Sequence, residues 1–529
     1  RITLEPELLK QVKVYPGAGR ADLGPGALVG AIQAETKSAS DLLAGSERPI
    51  GGMVKGSYNE NSSGLKGNLT LYGTFSEALN ILGSYTNEHG LDFDDGHGDN
   101  IDRSEVNRDN VFLKADGKLF GDHWYSLSYE RLTDQGNRPR RTHMIAAPWN
   151  SNTDQEFFRE SAILNYGIDS DHDLLDLTLT LYYADTYVEH NWDDGSSTGG
   201  GVESLGFKLK NISLVGDHAF TYGFDYRNDE GYSLASAYDG DEELDLFGFY
   251  LQDDWRLHDQ WLFSFGGRID DYSLDDDQGQ DYHDLAYSTN ATLTFFLNQH
   301  FSVYGSYAIA EQPNTVKEAY LIGVTSNDPD INTEKAETIE FGFDFNHGPW
   351  SLSGEVFQQR IEDLIVAGFS SRDNAGDARS EGYALRAGYR QGGFFANVGV
   401  AHNEPTLDGS PLSDPNMSIG SSSGRTWLAT LGYECEETNL KLQWDGKYVE
   451  DLDHVPSGAD DKKGYQVHDL HTTWKPKEDE SLTLTFSVLN IFDEFYHDHT
   501  TYGFHGGFGT IIGLPEPGRE FRLSVSYTF

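Results

Sequence analysis

Cysteine is nearly absent: the 529 residues hold one, Cys435. A single thiol builds neither a disulfide framework nor a cysteine-ligated metal centre. Basic residues are scarce too, 38 Lys and Arg against 86 Asp and Glu, for a net charge of −48. A surface this negative repels phosphate backbones, which excludes a nucleic-acid binder. No apolar run approaches the ~18 residues of a membrane-spanning helix. The opening Arg1-Ile2-Thr3-Leu4-Glu5 lacks the apolar centre of a secretory leader. On hydropathy windows alone, a membrane protein looks excluded. What the chain has in quantity is aromatics (29 Tyr, 30 Phe, 9 Trp) and 58 Gly. An acidic disordered chain would be poor in aromatics, so the sequence folds. At roughly 150 residues per domain, length alone would suggest three or four soluble domains.

The pattern of the apolar residues overrides that estimate. Leu175, Leu177, Leu179, Leu181 and Tyr183 alternate with Asp176, Thr178, Thr180 and Tyr182. Phe220, Tyr222, Phe224 and Tyr226 alternate with Thr221, Gly223 and Asp225; Phe247, Phe249 and Leu251, and Leu482, Leu484, Phe486 and Val488, repeat the pattern. This is the period of strands with one apolar and one polar face. Counted this way, about 22 strands run from about Gly51 to Phe529. Their connections alternate in length. Short gaps fall at Ser76-Glu77, Gly121-Asp122, Ser170–His172, Gly216-Asp217, His258–Gln260, Asn298–His300, His347–Pro349, Gln391–Gly393, Glu437–Asn439 and Pro476–Glu480. Longer polar gaps fall at Asp92–Asp109, Gly136–Phe157, His190–Gly200, Ser273–His283, Glu311–Lys335, Gly368–Asp377, Asn403–Gly424, Glu450–Lys463 and Thr500–Gly518. Short turns at one end, long loops at the other and an even strand number predict an all-β fold, a 22-stranded antiparallel transmembrane β-barrel spanning residues 51–529. A β-propeller would need a blade repeat, and none is found.

The two ends add detail. Phe521, Leu523, Val525, Tyr527 and the final Phe529 share one face. Trp124, Tyr125, Trp255, Trp261, Trp350 and Trp474 lie near strand ends and suit the aromatic girdles of a barrel. Residues 1–50 differ: short strands are predicted at Gln11–Tyr15 and Ala31–Thr36, separated by glycine-dense turns and joined to the barrel through Lys37–Ile50.

Four segments resemble a TonB-dependent outer-membrane receptor. Val12–Tyr15 through Gly24–Lys37 is similar to the end of that family's plug domain, and Asp41-Leu42-Leu43 resembles its iron-regulated FrpB/FetA-like branch. Ser306–Pro313, Asp328–Lys335 and Glu337–Gly342 resemble the mid-barrel box around the seventh outer loop. Leu489–Tyr496, Pro517-Gly518-Arg519 and Phe529 resemble the C-terminal box and its sorting signal. The resemblance implies an outer-membrane location in a Gram-negative bacterium, contact with lipopolysaccharide, and active uptake of a scarce iron chelate driven by the TonB-ExbB-ExbD complex through an N-terminal box. It implies a ferric siderophore first, and haem or another transition metal second, as transported ligand rather than covalently bound cofactor. A family plug has more residues than the fifty seen here, so residues 1–50 are expected to be the C-terminal remnant of a plug. A passive pore is the less favoured alternative, because an unplugged barrel of this size would leak.

Three clusters are candidate contacts. Arg138, Arg140 and Arg141 with His143 lie in a predicted outer loop, where guanidinium forks suit anionic chelates; salt bridges to acidic loops are the plainer reading. His497, His499, Tyr502 and His505, with Asp498, lie in or beside the last outer loop and could ligate iron or haem iron; a polar loop with girdle aromatics is the alternative. The loop Glu311–Lys335 lacks the histidine that haem receptors of the family usually carry there, though it holds Tyr320. Acidic runs at Asp92–Asp102, Asp270–Asp277 and Asp451–Asp461 could hold Ca²⁺ or simply be solvated. An enzyme is not expected: no His-Glu-x-x-His, and no Gly-x-Ser-x-Gly in strand-to-helix context, stands out.

Overall fold

The computed structural model describes residues 5–17, 19–28, 30–142, 150–235, 240–318, 321–367, 371–412, 422–477, 479–505 and 509–529. Twenty-two antiparallel strands form one closed barrel. The last strand, Glu520–Thr528, pairs with the first, Ile50–Asn59, placing Val525 opposite Gly56 and Tyr527 opposite Val54. Closure has a physical cause. In lipid, each unpaired backbone amide costs several kcal/mol, so a spanning sheet must have no edge.

All ten predicted short gaps are strand-to-strand turns; Gly216-Asp217, for example, joins Ser197–Val215 to His218–Ser233. Strand Asp241–His258 shows the two faces. Phe247, Phe249 and Leu251 are 48%, 54% and 45% exposed, whereas Leu246, Tyr250 and Gln252 are buried on the lumen side. The exposed apolar band continues around the barrel through Leu69, Leu113, Leu205, Ile269, Phe341, Val356, Leu428 and Leu523. It is the face that meets lipid.

Several predicted loops are shorter than expected. Strands run to Pro139 and restart at Asn152, and the gap His190–Gly200 contracts to residues 192–196 between Asp176–Asn191 and Ser197–Val215. Ser371–Gln391 begins within the predicted gap Gly368–Asp377. Two outer connections, residues 60–63 and the link from Ser233 to Asp241, were not anticipated. The reason is common to these cases. Outside the membrane a hairpin still pairs its backbone but needs no apolar face, so the period-2 signal stops before the strand does.

Glycines recur directly opposite aromatics across the ladder. Trp124 faces Gly167, Phe395 faces Gly432 and Tyr304 faces Gly342. A Cβ built at Gly432 would lie 2.1 Å from the Phe395 ring, so the ring lies flat over bare backbone.

The lumen is polar and occupied. Arg268 forks onto Asp225 at 2.9 and 2.5 Å and reaches Asp270 at 2.7 Å, while Gln252 and Asn290 exchange amide hydrogen bonds at 3.0 and 3.1 Å. The N-terminal segment lies against this inner wall. Leu9–Pro16 pairs with Gly30–Thr36, slightly longer than predicted, and a Ser38–Asp41 capping box starts the short helix Ala39–Leu42. Arg20 donates to both carboxylate oxygens of Asp254 at 3.1 Å; Lys66 reaches Glu5 at 2.9 Å; Lys55 pairs with Glu7; Lys114 donates to Thr36. Leu8 and Ala39 pack with Tyr72, Leu82 and Phe112 of the wall, and Leu28 packs with Ala310 and Ala336.

Candidate functional site

The outer mouth combines loops that strand pairing alone does not order. At its centre is a knot tying three connections. Asp498 caps the single turn His499–Thr501, accepting from Thr500 N at 3.0 Å, Lys447 Nζ at 3.0 Å and Tyr465 OH at 2.8 Å. Burial pushes this carboxyl up, but the Thr500 amide, the Lys447 ammonium and the Thr500 and Tyr465 hydroxyls together hold it well below the usual range. His499 is fully buried. Its Nδ1 accepts from Gly424 N at 3.0 Å and its Nε2 donates to Lys463 O at 2.8 Å. Lys462 donates to Ser422 O at 2.6 Å and His499 O at 3.0 Å, with its ammonium over the Tyr502 ring. Burial lowers the Lys462 ammonium to about 8.

Both His499 nitrogens are thus committed to backbone, which makes it a strut between loops rather than a free iron ligand. Tyr502, 8% exposed, packs against the same knot. His497 is different: its Nδ1 is buried without a hydrogen-bond partner, and its ring meets Phe495 edge-on at 5.3 Å. Exposed His97 stacks on the same Phe495 ring at 3.9 Å. Asp95, His97 and Asp99 offer ligand atoms within 4.8 Å of one another. His505 ends the strand Tyr502–His505. His143 and Tyr320 lie outside the described residues.

Arg138 is 7% exposed; its guanidinium donates to Asp134 at 2.7 Å and Gln135 O at 3.1 Å inside its own hairpin. It is an ion pair within the strand His123–Pro139, not with a neighbouring acidic loop. Arg140 and Arg141 continue the hairpin through Arg140 N to Ser151 O at 3.1 Å and Arg141 N to Asn150 Oδ1 at 2.7 Å. Nearby His190 is buried and held neutral, down to about 4, by burial and then by the Arg140 charge.

Below the mouth, a cavity of about 670 Å³ separates the N-terminal segment from the wall. Gly17, Gly26 and Leu28 line one side; Gln312, Glu334, Thr338, Glu340 and Gln359 line the other, and Leu412 closes the top. A groove of about 860 Å³ over Gly305 and Gly354, lined by Leu293, Phe341, Val356 and Leu385, belongs instead to the lipid-facing band. Sequence reading missed the roles of Gly424, Lys462 and Tyr465. The only signal for Lys462 was a cation directly after the acidic run Asp451–Asp461.

Comparison with known proteins agrees with this architecture. The family model described as TonB dependent receptor-like, beta-barrel, matches residues 84–491. The heme transporter BhuA of Brucella ovis is 26% identical over 99% of this chain and 81% of its own length. A hemin receptor of Yersinia enterocolitica is 23% identical over 99% of this chain and 80% of its own. The solved FrpB iron transporter of Neisseria meningitidis superposes with a TM-score of 0.90 at 24% identity, covering 100% of this chain and 89% of that one. With the closed barrel, the outward apolar band and the family match in hand, the chain belongs to the TonB-dependent receptors of the outer membrane, a family of transporters rather than enzymes.

Proposed function

We propose that this receptor takes up haem by energy-coupled transport, with residues 1–50 forming the C-terminal part of a plug and the TonB-ExbB-ExbD complex supplying the work. The observation that carries the energy coupling is the occupied lumen. The N-terminal segment is fastened to the wall by Arg20–Asp254, Lys66–Glu5 and Lys55–Glu7 ion pairs, so a bulky ligand passes only when that segment moves. This favours a gated transporter over the passive pore. Lipopolysaccharide surrounds the outer band in this reading.

The ferric siderophore expected from the arginine loop is less well supported than haem. Arg138 is consumed by Asp134, and relatives matching 99% of the chain are named as haem transporters and hemin receptors. His97 and His497, both against Phe495, offer imidazoles beside an aromatic ring, a setting that suits a flat metalloporphyrin. The deciding experiment is growth of a receptor-deletion strain on single iron sources. Loss of growth on haem alone, restored by the wild-type gene, supports the proposal; loss on a siderophore with haem use intact refutes it. A second reading, uptake of an unchelated transition-metal ion, draws on the Asp95–His97–Asp99 set. It predicts metal-ion binding by the purified receptor without a haem absorbance shift.

A further inference from the structure

The acidic run Asp270–Asp277 has one part that the transport reading does not use. Asp276 and Asp277 follow the strand Trp261–Asp275, and Glu242 begins the adjoining strand Asp241–His258. Their carboxylate oxygens lie within 4.8 Å of one another and, among the described residues, pair with one ammonium, that of Lys317 from the long outer loop between Gln312 and Glu334. The Lys317 side chain is 0% exposed, Glu242 0% and Asp277 1%. Lys317 Nζ sits 2.5 Å from Asp277 Oδ1, 2.7 Å from Thr325 O and 2.9 Å from Glu242 Oε1; the last contact is an ion pair without hydrogen-bond geometry. Asp277 Oδ2 also accepts from Gly323 N, and Asp276 accepts from the Asn327 amide at 3.1 Å.

The charge does not balance. Three carboxylates face one ammonium, and the Arg372 guanidinium, which donates to Thr315, divides its charge among Glu318, Glu242 and Glu334. Burial pushes the Glu242 carboxyl up, with the Lys317 contacts pulling it back. Further oxygens stand ready. Asn327 Oδ1 and Thr325 Oγ1 are buried with no hydrogen-bond partner, in residues 2% and 1% exposed, and both residues already touch the cluster through their other atoms. Carboxylates and a backbone carbonyl at one buried point, with an unpaired amide oxygen and hydroxyl on residues that touch it, are the donor types of calcium, whose flexible coordination accepts six to eight oxygens.

We propose that Glu242, Asp276 and Asp277, with Asn327 and Thr325, form a Ca²⁺ site in which Lys317 acts as the internal stand-in for the ion. Ca²⁺ entering the cluster displaces the ammonium, doubles the compensating charge from one to two and cross-links the loop carrying Thr325 and Asn327 to the two strands below. Either cation fastens this loop over the apolar cluster of Leu244, Leu246, Tyr272 and Leu274, on which Val316 packs. The divalent ion fastens it more tightly.

The test uses the full chain purified in detergent, stripped with chelator and titrated with CaCl₂ and with Tb³⁺, whose emission Tyr282 close to the cluster can sensitise. Saturable binding of one ion, weakened at least tenfold in Asp277→Asn and in Glu242→Gln, is expected. Lys317→Met removes the competing ammonium and should tighten Ca²⁺ at least tenfold, a gain that no folding defect imitates. Folding of each variant is checked by heat-modifiable gel mobility. Absence of saturable binding by the folded wild type overturns the proposal. So does a signal that survives Glu242→Gln and Asp277→Asn but disappears with Asp95→Asn, or a Lys317→Met variant that binds no better than wild type.

Discussion

Replacing His499 by Ala should release the three loops it joins without unfolding the barrel. The ring is wholly buried, and the substitution strips two backbone groups of their partners: the N–H of Gly424 and the C=O of Lys463. An orphaned buried group costs about 1–3 kcal/mol, so the pair costs about 2–6 kcal/mol before the vacated ring volume is counted. At about 1.4 kcal/mol per tenfold, a middle value near 4 kcal/mol raises the undocked population about seven hundredfold. Hydrogen exchange reads this directly, as faster exchange of the Gly424 amide and of residues 450–464, with amides of the strand Asp241–His258 unchanged. His499→Gln keeps one donor and one acceptor and should recover part of the protection. The pH dependence has a definite sign. Nδ1 accepts a hydrogen bond, so the docked form needs neutral imidazole, and burial holds the His499 pKa below its ordinary value against the pull of the Lys463 carbonyl. In the undocked loop the ring returns to about 6.5. Its contribution is therefore fully present above about pH 6.5 and is lost as the pH falls below that value. Unchanged exchange at Gly424 in His499→Ala at pH 7.5, or stronger protection at pH 5.5 than at pH 7.5 in the wild type, would refute the reasoning.

Other outcomes follow from the same contacts. Arg138→Ala breaks a nearly buried pair and leaves Asp134 with only Arg108 at 3.3 Å; the hairpin should lose about 3–5 kcal/mol of local stability, read as protease cleavage near residues 134–140. His190, held neutral down to about 4, should likewise weaken the Arg140 hairpin as pH falls from about 6.5 toward 4, seen as an exchange gain at Thr153 and His190. Removing residues 5–49 takes the segment out of the lumen and should raise single-channel conductance in planar bilayers from closed to large open steps; a deletion variant that stays closed would show that loops, not this segment, seal the barrel. His97→Ala with His497→Ala should weaken the haem-induced absorbance shift at least tenfold while leaving hydrogen-exchange protection at Gly424 intact.

The sequence by itself determined the barrel. Period-2 alternation and the rhythm of short and long gaps are local properties, set by one lipid face, one lumen face and tight turns at one end, so all ten turns were legible from single segments. The limits of the strands were not legible, because a hairpin beyond the membrane keeps its hydrogen bonds after the apolar signal has ended. Nor was the partition of the charged residues. In sequence Arg138 is equally a ligand contact or an ion pair until its hairpin places Asp134 against it, and His499 an iron ligand or a packed loop residue until folding brings Gly424 and Lys463 to its two nitrogens. Glu242, Asp277 and Lys317 are 35 and 40 residues apart in the chain, yet share one buried point. Which charge meets which is decided across loops, where no periodicity constrains the sequence; only the tertiary structure brings those partners together.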